Sequence, residues 1–163
     1  MDMKDAMQTA LDFEKKGKDI YVDASQKTKN SFIKKTFEYL AEQEEKHIRE
    51  IENYFKNKKF ETNGDDPVHV KEFFTMTTKE FQKKLDLTED DMQAHERGLE
   101  LENESYKFYE QQKKHAEKQE VKQFFDFLMK QEMAHYDLIK KSYEYINDPA
   151  NFHIENETWF FEG

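Results

Sequence analysis

Apolar residues recur at three- and four-residue spacing along four long stretches of the chain, the interval that places them on one face of an α-helix. The first stretch spans about 2–27 and aligns Met7, Ala10, Leu11, Glu14, Gly17 and Tyr21. The second spans about 31–58, with Ile33, Phe37, Leu40, Ala41, Glu44, His47, Ile48, Ile51 and Phe55 on its stripe. The third begins after Thr88, a good N-cap followed by Glu89, Asp90 and Asp91 at the positive helix end. Its stripe is His95, Leu99, Glu102, Tyr106 and Tyr109. The fourth spans about 117–147, with Val121, Phe124, Phe125, Leu128, Glu132, His135 and Ile139, and Asp148-Pro149 ends it.

Only a few residues join the first helix to the second, and the third to the fourth. Each pair is therefore expected to form an antiparallel hairpin. Between the hairpins lies a segment of about 60–87 that contains the breaker run Asn63-Gly64-Asp65-Asp66-Pro67. A short helix over 68–74, with Pro67 at its start, is predicted inside it. The reading is an all-α four-helix bundle, two helical hairpins joined by one long crossover, over residues 1–148. Residues 149–163 form an aromatic C-terminal tail.

The two hairpins repeat each other at an offset of 88 residues with no gap. Leu11, Glu14 and Tyr21 match Leu99, Glu102 and Tyr109. Phe37, Leu40, Gln43, Glu44, His47 and Ile51 match Phe125, Leu128, Gln131, Glu132, His135 and Ile139. A repeat of this kind predicts a bundle with internal pseudo-two-fold symmetry.

Two Glu-x-x-His motifs fall in that frame, Glu44 to His47 and Glu132 to His135. In a chain this rich in glutamate, about one such match is expected by chance, so the tetrapeptide alone says little. The context says more. Both motifs lie on the apolar stripe of a long helix, inside the same frame Phe-x-x-Leu-x-x-Gln-Glu-x-x-His. Both follow a further in-face glutamate, Glu14 or Glu102, by 30 residues. Residues three apart on a helix share a face, so Glu44 and His47 can hold one ion together, as can Glu132 and His135. Four glutamates in an apolar interior cannot all stay ionised without compensation. Two divalent cations neutralise them, and four carboxylates with two imidazoles suit iron or manganese over a closed zinc site. Tyr21 and Tyr109 come seven residues after Glu14 and Glu102 and so lie on the same faces. They are expected to hydrogen-bond to whichever carboxylates bridge the two ions, with ordinary core aromatics as the alternative, and they or a ligand water would donate protons. His95 is expected to be a packing histidine, and His69, His115 and His153 surface residues.

Composition narrows the reading. Charged residues make up 38% of the chain and hydrophobic ones 36%, but 15 Phe, 8 Tyr and 1 Trp supply large buried area. With 4 Gly and 2 Pro the chain lacks the turn residues of an all-β fold. A net charge of −10 repels phosphate, so nucleic acid is not an expected partner. The absence of cysteine removes disulfides, zinc-thiolate and iron–sulfur sites, and thiol catalysis. No run is long and apolar enough for a membrane span, and a soluble cytoplasmic protein is expected. The tail carries Trp159-Phe160-Phe161, which either folds back over the bundle end or packs on a second subunit.

These residues resemble the rubrerythrin branch of the ferritin-like di-iron carboxylate proteins, over about 7–145. The resemblance implies a ferritin-like bundle and two iron ions, with manganese or a mixed pair as the alternative. It implies that Glu44 and Glu132 bridge the metals, that Glu14 and Glu102 are terminal carboxylates, and that His47 and His135 each cap one metal. It also implies reduction of hydrogen peroxide, with dioxygen as a further oxidant, and a homodimer. Typical members add a rubredoxin domain with paired Cys-x-x-Cys motifs, so a chain without cysteine implies an external electron donor protein. They also carry an extra glutamate one turn from the third-helix ligand, where this chain has Leu99 and Ser105 on either side of Glu102. Ferritin-like iron oxidation and storage, or a metal-binding bundle without turnover, are the competing functions.

Overall fold

The computed structural model describes residues 3–57, 67–81, 87–149, 152 and 159. Five helices follow in order: α1 (Met3–Lys27), α2 (Ser31–Asn57), α3 (Pro67–Glu80), α4 (Glu89–His115) and α5 (Gln119–Asn147). α1 packs along α2 and α4 along α5, as two hairpins; α1 then meets α4, α2 meets α5, and α3 lies against α5 and α2. No strand occurs among the described residues. This is the expected all-α bundle, with α3 inside the crossover.

Local chemistry sets the starts of the long helices. The α1–α2 connection ends at Asn30, whose Oδ1 accepts the Ile33 amide at 3.1 Å. That contact satisfies one of the free N–H groups at the start of α2. Thr88 and Asp91 form a reciprocal capping box at α4, each side chain accepting from the other's backbone N–H at 3.2 Å. α5 starts at Gln119, two residues later than its pattern suggested, after Lys118, which gives no side-chain cap.

α3 runs to Glu80, well past the 68–74 predicted for it. The run Thr75-Met76-Thr77-Thr78 disfavours helix because branched side chains lose rotamer freedom there. Burial outweighs that preference: Val70, Phe74, Thr77 and Thr78 are all buried on one face. The threonine hydroxyls bond back to carbonyls of the preceding turn, Thr75 to Lys71 and Thr77 to Phe73. The breaker run 63–66 lies outside the described residues.

Two aromatic-rich clusters fill the bundle. One gathers Tyr21, Phe32, Phe37, Val70, Phe74, Leu138, Ile139 and Tyr145; the other gathers Met7, Ala10, Ile51, Tyr54, Tyr109, Phe124, Phe125 and Leu128. Phe55, placed on the inner stripe by its spacing, is 40% exposed. Tyr54 takes the inner place and stacks on Phe124 at 4.2 Å between ring centroids. At the end of a long helix a 3.6-residue period drifts away from a three-and-four pattern, and the preceding residue turns inward. Leu99 and Tyr106 of α4 are half-buried, and the stripe there passes through Leu101 and Ser105.

In the tail, Trp159 is 1% exposed, edge-on to Phe74 at 5.8 Å and under Lys141 Nζ at 5.0 Å. Phe152 meets Phe74 and Tyr145 at 5.7 Å. Both residues fold back onto their own bundle. Phe160, Phe161 and His153 lie outside the described residues. No described helix is long and apolar enough to cross a membrane.

Candidate metal centre

Glu14, Glu44, His47, Glu102, Glu132 and His135 all lie at most 2% exposed. Their helices carry them there for the reason the repeat suggested: each sits on the stripe that its helix turns toward the bundle axis. Glu44, His47, Glu132 and His135 each offer one ligand atom, and the four atoms lie within 4.8 Å of one another. The other two glutamates complete the ring. His47 Nδ1 lies 3.2 Å from Glu14 and 3.7 Å from Glu132. His135 Nδ1 lies 3.1 Å from Glu44 and 3.5 Å from Glu102. Each imidazole thus faces one glutamate of the 14/102 pair and one of the 44/132 pair. The two rings stack with centroids 5.0 Å apart and planes 10° apart. This is the pseudo-two-fold relation expected from the 88-residue offset.

Tyr21 donates to Glu102 Oε1 at 2.5 Å, and Tyr109 donates to Glu14 Oε1 at 2.7 Å. Both tyrosines reach the site, but not on the expected partners. The expected partners were bridging carboxylates, which the resemblance implies to be Glu44 and Glu132; each tyrosine instead meets the 14/102-type glutamate of the other hairpin. The cause is the α1–α4 interface. Tyr21 pairs with Glu102 and Tyr109 with Glu14, so the two helices run antiparallel and each tyrosine crosses to the neighbouring helix.

Three further residues, to which the sequence reading gave no role at the site, touch it. Gln131 Oε1 lies 3.4 Å from His47 Nε2. The repeat offered a signal here, because Gln43 and Gln131 share the motif frame. Gln43 Oε1 and His135 Nε2, the equivalent pair, have no hydrogen-bond partner among the described residues. Ser105 Oγ donates to Glu132 Oε2 at 2.7 Å. Its repeat partner is Gly17, which carries no donor, so matching the two hairpins could not expose it. A Cβ at Gly17 would stand 3.3 Å from both Glu44 Cδ and Leu101 Cδ2, so the bare backbone is what lets α1 close on the site.

The electrostatics divide the four glutamates into two pairs. Burial, and then the charges of Glu14 and Glu102, raise the pKa of Glu44 well above the carboxylate range. Burial and the charges of Glu102 and Glu14 do the same to Glu132. Burial opposes ionisation of Glu14 too, but hydrogen bonding to Glu44 and the charge of His47 outweigh it and lower its pKa. At Glu102, burial is likewise outweighed, by the hydrogen bond from Glu132 and by His135. Burial lowers the His47 pKa, and the charge and hydrogen bond of Glu14, the charge of Glu102 and the Gln131 contact together more than reverse that, so the net shift is upward. Burial, and then Glu102 or Glu14, hold Tyr21 and Tyr109 protonated far above the usual phenol range.

Both the donor set and the unpartnered atoms fit divalent cations. If His47 Nε2–H donates to Gln131, its Nδ1 lone pair faces two carboxylates, an arrangement that a cation between them reconciles. Buried Glu102 Oε2 and Glu132 Oε1 have no hydrogen-bond partner among the described residues. His95 stands apart as expected: it is fully buried, hydrogen-bonded through Nδ1 to the Asp91 carbonyl at 2.7 Å, and set edge-on to Phe37. His69 and His115 are exposed.

Comparison with known proteins adds one match. The Rubrerythrin family model matches residues 5–143. No curated protein and no solved structure matches the chain. The family match takes in both hairpins and all six clustered residues, and the chain therefore belongs to the rubrerythrin family.

Proposed function

We propose that this chain is a non-haem di-iron oxidoreductase that reduces hydrogen peroxide, and dioxygen more slowly, with electrons from an external donor protein. The observation that carries the reading is the placement of each histidine Nδ1 between one glutamate of each pair. Glu14 and His47 would hold one ion, Glu102 and His135 the other, and Glu44 and Glu132 would lie between them. Manganese fits the same ligands, and the reading takes iron as the working metal. A ferrous pair supplies Lewis acidity and two electrons, the number needed to cleave one O–O bond.

The protein's own part is charge, protons and exclusion of water. Two glutamates are held protonated and two ionised, so metal binding displaces protons from Glu44 and Glu132. Reduction of one peroxide to two waters consumes two electrons and two protons. Tyr21 Oη and Tyr109 Oη are the nearest phenolic protons, each already donated to a carboxylate of the site. The burial of all six residues, each at most 2% exposed, limits the contact of bulk water with them.

The test is anaerobic loading with ferrous iron, metal analysis, and stopped-flow oxidation at matched peroxide and dioxygen concentrations. Two irons per chain and faster oxidation by peroxide are expected. A dioxygen rate equal to or above the peroxide rate would overturn the peroxidase reading in favour of an oxidase or ferroxidase.

A further inference from the structure

The repeat makes the two hairpins equivalent, but their outer faces differ. On the α4–α5 face a groove of about 290 Å³ reaches Glu102 and Glu132. Both carboxylates are almost fully buried, so they form its floor; half-buried Tyr106, Met133 and Tyr136 line its walls, and exposed Lys140 stands at its rim. The floor carboxylates are the two that keep an unpartnered oxygen, Glu102 Oε2 and Glu132 Oε1. On the α1–α2 face the residues 88 positions earlier than Tyr106 and Met133 are Lys18 and Glu45. Their side chains form an ion pair at 2.6 Å that spans the two helices.

We propose that the α4–α5 groove is the passage by which small molecules of the size of peroxide reach the centre, and that the Lys18–Glu45 pair closes the equivalent face. The centre is then symmetric in its ligands and one-sided in its access. The groove suits a small polar guest. Two phenol groups line it for hydrogen bonding, Met133 narrows it with a flexible apolar chain, and Lys140 at the mouth draws anions toward it. Ser105 holds Glu132 by Oε2 from within the bundle, which keeps this floor carboxylate in place.

The oxidant as guest rests on the function proposed above, so the probe is azide, a small anion that reports access without turnover. Azide is added to protein loaded with ferric iron, and the rate of its absorption change is followed. Met133→Trp fills the groove. It is expected to slow azide association by about tenfold or more with iron content unchanged. Adding Lys18→Ala to that variant opens the other face and is expected to restore the rate, whereas Lys18→Ala alone leaves it at or above that of the unmodified protein. Lys140→Glu, at an exposed position, is expected to slow azide several-fold at low salt and less at high salt. An unaltered azide rate in both Met133→Trp and Lys140→Glu, or no azide binding to iron-loaded protein, overturns the passage and leaves the peroxide measurement standing. A chain that binds no iron overturns the di-iron reading itself.

Discussion

Tyr21 and Glu102 lie 81 residues apart in sequence and share a 2.5 Å hydrogen bond in the middle of the bundle. With its counterpart from Tyr109 to Glu14, this bond ties the first hairpin to the second at two points. A buried hydrogen bond to a charged acceptor is worth more than a neutral one, and its loss leaves the carboxylate partly unsatisfied. Tyr21→Phe and Tyr109→Phe are each expected to cost about 1–3 kcal/mol of stability, read from denaturant midpoints. The near symmetry of the two contacts predicts similar losses. A cost in one variant only would show that the two tyrosines are not equivalent.

The glutamate pairs predict different losses of metal. Glu44→Ala and Glu132→Ala each remove a carboxylate that would serve both ions, so metal analysis is expected to find neither ion held. His47→Ala and His135→Ala each remove a ligand from one ion and are expected to leave the other bound. Loss of a single ion from Glu44→Ala would mean that Glu44 serves one position alone.

Much of this was legible before the structure because the chain repeats itself. Glu14, Glu44 and His47 could be matched to Glu102, Glu132 and His135, and a shared frame on an apolar stripe is a far stronger sign than Glu-x-x-His alone. Helix starts were legible at Thr88, where the cap and the acidic first turn agree. What escaped depends on contacts between elements. The partners of Tyr21 and Tyr109 follow from α1 and α4 running antiparallel, which no spacing within one helix encodes. The second half of α3 is helical because Phe74, Thr77 and Thr78 are covered, against the local preference of a threonine run. Trp159 offered two destinations, and its burial against Phe74 is a tertiary choice.

Ser105 is the point where the repeat and the site part company. Its hydroxyl restrains Glu132, whereas Glu44 faces the bare Gly17 backbone. Removing an outer hydrogen bond to a metal ligand commonly lowers affinity about 10–100-fold. Ser105→Ala is expected to weaken metal binding to that degree, measured by competition with a chelator, and to cost the metal-stripped protein about 1–3 kcal/mol through loss of the same buried hydrogen bond. Ser105→Thr keeps the hydroxyl and is expected to retain affinity. Equal affinities for Ser105→Ala and the unmodified protein would show that Glu132 needs no such support.

Without metal, the four buried glutamates and His47 make the stability of the protein depend on pH. Glu44 and Glu132 have folded-state pKa values raised above the unfolded value of about 4.3. Their contribution to stability is fully present below that value and is lost as pH rises toward the folded pKa. His47 is also raised, so its contribution is present below about 6.5 and is lost as pH passes through its folded pKa. Glu14 and Glu102 are lowered and act the other way: their contribution is full above about 4.3 and is lost only as pH falls through their folded values. From pH 5 upward the depressed pair adds no further change, and the raised groups dominate. The stripped protein is therefore expected to lose stability between pH 5 and pH 8. In loaded protein, cations replace the protons on Glu44 and Glu132, and binding strengthens as protons become scarce. The gap between loaded and stripped unfolding midpoints should widen steadily over the same range. A gap that stays constant from pH 5 to pH 8 would mean that metal binding does not displace protons from Glu44 and Glu132.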